Sequence, residues 1–473
     1  MKNIKTLIEQ EPEIIIELFS IDNELKNINL TFLDKDKYSK DKVVKDFINL
    51  ITDSSIRALE VKTQVVTKDD EYKTKQFRNR LTHSFEVGSI SKLIALKFNQ
   101  TFIELFKDKL IEKYQSKYEN EFLLNYIKEK IENLIKKDLE IIDLNVIEYI
   151  SLIHDIGHPP FGHLGEKELH KVLGEKFKIP FEGNANNIAV LIKEKLDNYD
   201  RYLYGITKYP WKLEIGQKKG IYEEHYNKMV KIIKKFKNSD KEFFEQFNLK
   251  YEDVPNLHML IMEQADDIAY LTSDMEDAIL NFDIIFNPKH ILGENEILKG
   301  VKKVENKEIK TILNNLIKEQ LKGDDKSSNK IKSSIKKLRD YILDNIYLDT
   351  SNLTIKFKDN SIKTVLNNLR IISEELYYNP VKKQEHKKIV ENIIIHLTNN
   401  LDNKEFLLKV IPSLQTKENI LKDFDDKDKV VKHLRDFISR LTDSYAIEFS
   451  KKLDEIVGLT PKNKKINDLE FQK

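Results

Sequence analysis

Cysteine is absent from the 473 residues of this chain. That excludes disulfides and thiolate-bound metals, so any metal must be held by histidine, aspartate or glutamate. Glycine and proline are scarce, at 13 and 10 residues, and so few turn formers point to a helix-rich chain. No run of about 18 apolar residues occurs, so no transmembrane helix and no membrane partner are expected. The opening "MKNIKTLIEQEPEIIIELFS" carries acidic residues through its apolar stretch, which is not the pattern of a signal peptide, and a cytoplasmic location is expected. An excess of one charge is also missing: 80 Lys and Arg stand against 79 Asp and Glu, a net charge of +1. That balance excludes a global electrostatic pull toward nucleic acid or anionic membrane and leaves open only a local basic groove.

What the sequence does have is hydrophobic periodicity. Forty per cent of its residues are hydrophobic, enough for a sizeable core, and a chain beyond about 250–300 residues is expected to form one large domain with elaborations, or two lobes. "EFLLNYIKEKIENLIKKDLE" (121–140) and "NLHMLIMEQADDIAYLTSDMEDAIL" (256–280) repeat apolar residues at steps of three and four, the pattern of amphipathic helix. "VIEYISLIHDIGH" is more apolar and predicts a buried helix from Asn145 to His154, broken by the Gly-Pro-rich stretch behind it. Extended structure is expected only at 58–66 and 353–359, a loop at 322–330, and surface excursions near 190–200 and 214–250. The expected fold is all-α: a helical core with helical elaborations and minor short β pieces. Its expected divisions are an N-terminal helical segment (1–56), the core (57–285) and a C-terminal helical lobe (286–473).

The stretch "HDIGHPPFGHLGE", His154 to Glu166, gathers three histidines, an aspartate and a glutamate among two prolines and three glycines. A lone His154-Asp155 pair ordinarily marks a satisfied core histidine beside a helix end. Adjacent residues do not share a helix face, so both reach one ion only where the chain turns, and "GHPP" supplies the turn. The pair has company. "RNRLTHSFEVGSIS" (78–91) places His83 on a second helix, and "EQADDIAYLTSD" (263–274) places Asp266 and Asp267 on a third. Aspartates inside an apolar helical pattern are costly to bury without a partner. Two imidazoles and two carboxylates form a mixed nitrogen–oxygen site that suits Mn, Mg, Fe, Ni or Zn.

His83, then His154-Asp155, then an aspartate on a later helix resembles the H…HD…D pattern of the HD-domain metal phosphohydrolases. The detail resembles the bacterial deoxyguanosine triphosphate triphosphohydrolases (dGTPases) and related deoxynucleotide triphosphohydrolases. The stretches that carry the likeness are "KTQVV" (62–66), "RNRLTHSFEV" (78–87), "HDIGHPPFGHLGE" (154–166), "FEGNAN" (181–186), "KYPW" (208–211), "ADDIAYLTSDMEDAI" (265–279) and "RLTDSYA" (440–446). Residues 285–435 match only by helical pattern and by "ELYYNPVKKQEHKKIVENII" (375–394). The resemblance implies His83, His154, Asp155 and Asp266 as ligands of a divalent metal, and His163 and Glu166 as the catalytic pair. It implies Gln64 and Val65 beside the sugar and base, and Arg80, Lys208, Tyr209 and Lys218 as the polyphosphate clamp. Tyr270 and Asp274, four and eight residues after Asp266 on one helix face, are implied at the sugar and its 3′-hydroxyl. His158 is implied at the phosphates or as a shaper of the turn.

The implied reaction is hydrolysis of dGTP to deoxyguanosine and inorganic triphosphate by water attack at the α-phosphorus. A symmetric homo-oligomer, such as a hexamer, and single-stranded DNA binding are implied by the same analogy. Three other readings stand beside it: a broad or nucleotide-activated dNTP triphosphohydrolase, an HD phosphohydrolase of another substrate, and a non-catalytic nucleotide- or nucleic-acid-binding module. "GHLGE" and the clamp stretches argue against the second, and the intact ligand set against the third. "FEGNAN" reads either as a helix entry with an asparagine cap or as a substrate-side segment. His225, His258 and His433 are assigned no role.

Overall fold

The computed structural model describes residues 13–27, 40–62, 78–138, 141–196, 198–214, 216–274, 276, 307–322, 325–367 and 380–458. Its helices, in chain order, are α1 (Glu13–Lys26), α2 (Lys40–Thr52), α3 (Ser54–Arg57), α4 (Arg80–Gln115), α5 (Glu121–Asp138), α6 (Leu144–Ile153), α7 (His163–Phe177), α8 (Gly183–Lys193), α9 (Asp200–Gly205), α10 (Glu223–Glu245) and α11 (Leu257–Ala269). A π-helical turn, Tyr270–Asp274, extends α11. Then come α12 (Lys307–Lys322), α13 (Asp325–Asn345), a hairpin of β1 (Ile346–Asp349) and β2 (Thr354–Phe357), and α14 (Pro380–Asn399), α15 (Lys404–Val410), α16 (Leu414–Asp423), α17 (Lys427–Ser439) and α18 (Asp443–Gly458). The fold is all-α, and no helix among the described residues is long and apolar enough to cross a membrane.

Local chemistry starts the helices that matter most. Asn79 accepts the Thr82 amide while Thr82 Oγ1 accepts the Asn79 amide, a reciprocal cap at the head of α4. Asp143 accepts the amides of Asn145 and Val146, each at 2.8 Å, at the head of α6. Asn256 accepts the Met259 amide at the head of α11. Each cap satisfies a donor that the first helical turn leaves open. These three helices pack on one another through fully buried residues such as Val87 and Ile94 of α4, Ile147 and Ile150 of α6, and Ile261 and Ala265 of α11. A second cluster joins α7 (Leu169, Leu173) to the C-terminal helices through Val390, Leu397, Leu434, Phe449 and Leu453. The helix that opens with His163 therefore sits between two packed masses.

Several expectations need correction. Residues 58–61 form a 3-10 helix rather than a strand, because burying Leu59 outweighs the β preference of a short valine-containing run; residues 63–66 of the same expectation lie outside the described residues. The strand at 353–359 is found as β2, paired antiparallel with β1. The loop expected at 322–330 is helix from Asp325 onward. Residues 214–250 are not an excursion: α10 buries Phe236, Phe243 and Phe244. The ring of Phe247, just beyond α10, stacks on Phe106 of α4 at 3.9 Å. Lysines on the outer face hid that inner stripe.

Phe106 is fully buried and meets four phenylalanine rings, those of Phe102, Phe243, Phe244 and Phe247. Phe106→Ala should lower unfolding stability by about 3–5 kcal/mol, with an unchanged slope in urea titration.

Candidate metal centre and active site

Three helices bring the four candidate ligand side chains to one place. His83 lies one turn into α4, His154 is the C-cap of α6 with Asp155 behind it, and Asp266 lies in the last turn of α11. His83 Nε2 is 2.9 Å from Asp266 Oδ1. His154 Nε2 is 3.5 Å from the same oxygen and 3.7 Å from Asp155 Oδ1. Ligand atoms of His83, His154 and Asp155 all lie within 4.8 Å of one another. The His154 Nδ1–H donates to the Ser151 carbonyl at 2.6 Å. That bond places a proton on Nδ1, so a metal could be met only by Nε2. Nε2 is buried and has no hydrogen-bond partner. An orphaned imidazole nitrogen between two carboxylates is what a divalent cation would complete, and the nitrogen–oxygen donor set fits one.

The electrostatics agree. Burial alone would push the His154 pKa down, but the charges of Asp155 and Asp266 outweigh it and lift it to about 9. Burial would raise Asp155, yet His158, His154 and Arg80 hold its carboxyl well below the usual range. Asp266 is lowered in the same way by His154 and His83. The pocket is built for positive charge at His154 Nε2, proton or metal. The side chains of His83 and His154 are 1% and 6% exposed, whereas Asp266 is 39% exposed, so the site opens to solvent over Asp266.

The turn after Asp155 is locked by α8. Asn187 Oδ1 accepts the Gly157 amide at 2.6 Å, Asn186 Nδ2 donates to the Gly157 carbonyl at 2.8 Å, and Asn187 Nδ2 donates to the His154 carbonyl. The cap of α8 is Glu182, whose carboxylate accepts the Ala185 amide, so "FEGNAN" caps through its glutamate and spends its later asparagine on the turn. His158 Nδ1 sits 3.0 Å from Asp155 Oδ1. Its ring meets the His163 ring edge-on at 5.3 Å. His163, the first residue of α7 and 65% exposed, is bonded from Nδ1 to Glu166 Oε2 at 2.9 Å, which leaves Nε2 available for proton transfer. Burial would raise Glu166, but its bond to His163 and the charges of His158 and Lys219 hold it well below the usual range.

The proposed clamp residues are placed unequally. Arg80 is buried, and its Nη1 donates to Asp155 Oδ2 at 2.6 Å, so it braces a metal ligand. Lys208 pairs with Glu263, one turn before Asp266 on α11. Two ammonium groups lie near the Tyr209 ring, Lys208 at 5.7 Å and Lys219 at 5.6 Å from its centre. Lys218 is exposed. Its neighbour Lys219 reaches inward instead, 2.8 Å from Glu182 Oε1 and 3.5 Å from Glu166 Oε1. Tyr270 is half-buried and opens the π turn, so the single α-helical face expected through Asp266, Tyr270 and Asp274 widens there. The side chain of Asp274, together with Gln64 and Val65, lies outside the described residues. Asn186, Asn187 and Lys219 were not singled out by sequence reasoning. The "FEGNAN" stretch and the doubled lysine at 218–219 were the signals available.

A family model for the HD domain matches residues 80–271, from Arg80 to just past Tyr270, and so spans all four ligand candidates. The chain carries an HD domain over this stretch. The chain is 30% identical over 265 residues to a deoxyguanosinetriphosphate triphosphohydrolase-like protein 2 of Deinococcus radiodurans, covering 50% of this chain and 53% of that one. It is 30% identical over 302 residues to a deoxyguanosinetriphosphate triphosphohydrolase-like protein of Haemophilus influenzae, covering 54% and 59%. A protein of the same description from Rickettsia typhi is 24% identical over 424 residues, 87% of this chain and 91% of that one. The chain thus spans little more than half the length of the first two relatives, and its likeness is to the dGTPase-like branch of HD proteins.

His154 sets a proton linkage. Its metal-free pKa of about 9 means that Nε2 is protonated at pH 7, and a metal must displace that proton. Binding of one divalent ion at pH 7 should release about one proton, and apparent affinity should rise about tenfold per pH unit until pH 9, then level off. Isothermal titration calorimetry in buffers of different ionisation enthalpy measures both. A pH-independent affinity would remove His154 from the ligand set.

Proposed function

We propose that this chain hydrolyses deoxynucleoside triphosphates, dGTP first among them, to the deoxynucleoside and inorganic triphosphate. The observation that carries the reading is the continuity of the site. Asp155 contacts His158, His158 meets His163, His163 is bonded to Glu166, and Glu166 is paired with Lys219. A metal-ligand set, a proton-transfer pair and a cationic rim share one wall of the protein. The printed names of the relatives point to the same reaction.

The chain's own residues divide the work. His83, His154, Asp155 and Asp266 would hold a divalent ion of the Mn, Mg, Fe, Ni or Zn class, which supplies electrophilic stabilisation of phosphoryl charge. Lys208 and Lys219, both near the Tyr209 ring, would receive the polyphosphate. Arg80 keeps Asp155 ionised and aimed. His163, oriented through Nδ1 by Glu166, carries the proton that hydrolysis moves at its free Nε2. Tyr270, next to the last ligand on the same helix, is placed to crowd a ribose 2′-hydroxyl.

Product analysis tests the proposal. Metal-supplemented protein, with His154→Ala as control, is incubated separately with each dNTP, GTP and mixtures of them. Deoxyguanosine plus intact triphosphate from dGTP is the expected result. Release from several dNTPs, or only from mixtures, would replace dGTP selectivity by a broad or nucleotide-activated enzyme. Orthophosphate or pyrophosphate would mean attack at another phosphorus, and no turnover with any metal would favour a binding module. In the active protein, His163→Ala should lower kcat by about 10²- to 10⁴-fold with little change in KM.

A further inference from the structure

The turn between Asp155 and α7 ends in two consecutive left-handed residues, Phe161 (φ 62) and Gly162 (φ 57). His163 follows directly as the first residue of α7. Glycine takes this conformation readily, but a bulky aromatic residue does so only when its surroundings hold it there. The surroundings come from far along the chain. The Phe161 amide donates to Asp443 Oδ1 at 2.9 Å. The Phe161 ring stacks on His386 of α14 at 4.1 Å and 15°. Asp443 is the first residue of α18 and is 7% exposed. Close by, buried Lys62 donates from Nζ to the His158 carbonyl at 2.7 Å and the Ser439 carbonyl at 3.1 Å. Asn186 Nδ2 reaches Ser439 Oγ at 3.1 Å. The corner between α17 and α18 thus meets the turn directly through Asp443, and indirectly through Lys62 and Asn186, which bridge Ser439 to His158 and Gly157.

We propose that Asp443 is a positioning residue for His163: by accepting the Phe161 amide it holds the left-handed Phe161–Gly162 pair, which fixes the start of α7 and the imidazole against Glu166. The inference rests on the reading of His163 as the proton-transfer group. On this proposal Asp443 reaches His163 through the backbone of the turn. A misplacement of the imidazole by about 1 Å is enough for a loss near 100-fold in rate.

The test compares Asp443→Ala, Asp443→Asn and Asp443→Ala combined with Phe161→Gly in the full chain. Asp443 also helps hold the Lys62 ammonium, whose pKa burial draws down to about 7. Asp443→Asn removes that charge but keeps the oxygen acceptor, so it separates the two roles. Asp443→Ala should lower kcat about 100-fold with KM and metal stoichiometry unchanged. Asp443→Asn should stay within about threefold of the parent, and Phe161→Gly should restore about tenfold of the alanine loss by removing the left-handed penalty. Asp443→Asn as impaired as Asp443→Ala, or a loss carried by KM, would overturn the proposal. A second readout needs no substrate: the ring-nitrogen NMR signature of His163, assigned with His163→Gln. In the parent it should show Nδ1 held by Glu166, and in Asp443→Ala an averaged tautomer. An unchanged signature in Asp443→Ala overturns the positioning role even if the parent hydrolyses no dNTP, an outcome that by itself would count only against the proposed reaction.

Discussion

Gly157 donates its amide to Asn187 Oδ1 and accepts from Asn186 Nδ2, so the backbone of the turn lies directly on the first turns of α8. A methyl group at residue 157 would fall 2.3 Å from the Asn187 nitrogen and 2.6 Å from the Asn186 carbonyl carbon. No side chain fits there. That close approach decides where α6 stops and where the chain goes next. It lets His154 and Asp155, adjacent in sequence, serve one site: His154 from the last helical position, Asp155 from the turn. The same contact sets the height of His158, and through it the distance between the ligand set and the proton-transfer pair.

Around that contact the structure concentrates charge that would be costly in isolation. Asp155 is buried, yet both its oxygens are engaged, Oδ2 by Arg80 and Oδ1 by His158. Glu166 is likewise satisfied by His163, the Gly183 amide and Lys219. A buried carboxylate with a full set of donors stays ionised, and one stripped of a partner would take up a proton instead. The site is therefore a chain of mutually dependent ionisations and not a set of separate residues. A group such as Arg80, which resembles a substrate contact when read alone, does its first service inside the protein.

How far this was legible in sequence follows from what each feature depends on. The candidate ligands were named from the resemblance of the H…HD…D pattern; the lack of cysteine limited them to His, Asp or Glu, and the helical period placed His83, His154 and Asp266 on elements that the structure brings together. The end of α6 was readable because glycine and proline cannot continue it. The inward lysine was not. Lys218 and Lys219 sit in an irregular segment whose backbone is set by the Leu213–Ile221 and Trp211–Ile221 bonds, and no period tells which of two adjacent residues turns inward. The asparagine lock and the Asp443 contact are backbone interactions between segments about 30 and 282 residues apart. Their signal is three-dimensional, and only the family likeness of the two stretches hinted that they matter. The 3-10 turn at 58–61 shows the reverse case, in which tertiary burial overrode a local preference for extended chain.

The arrangement of opposite charges gives the site a direction. On the ligand side, Asp155 and Asp266 create a field that draws a cation to His154. On the other side, Lys208 and Lys219 lie near the Tyr209 ring, each held by carboxylates: Glu263 for the first, Glu182 and Glu166 for the second. On the proposed reading, a polyanion arriving there would draw both ammonium groups from these carboxylates, and Glu166 would lose a cationic neighbour while keeping His163 and the Gly183 amide. Lys219 is thus the side chain that ties the proposed polyphosphate end to the proposed proton-transfer pair.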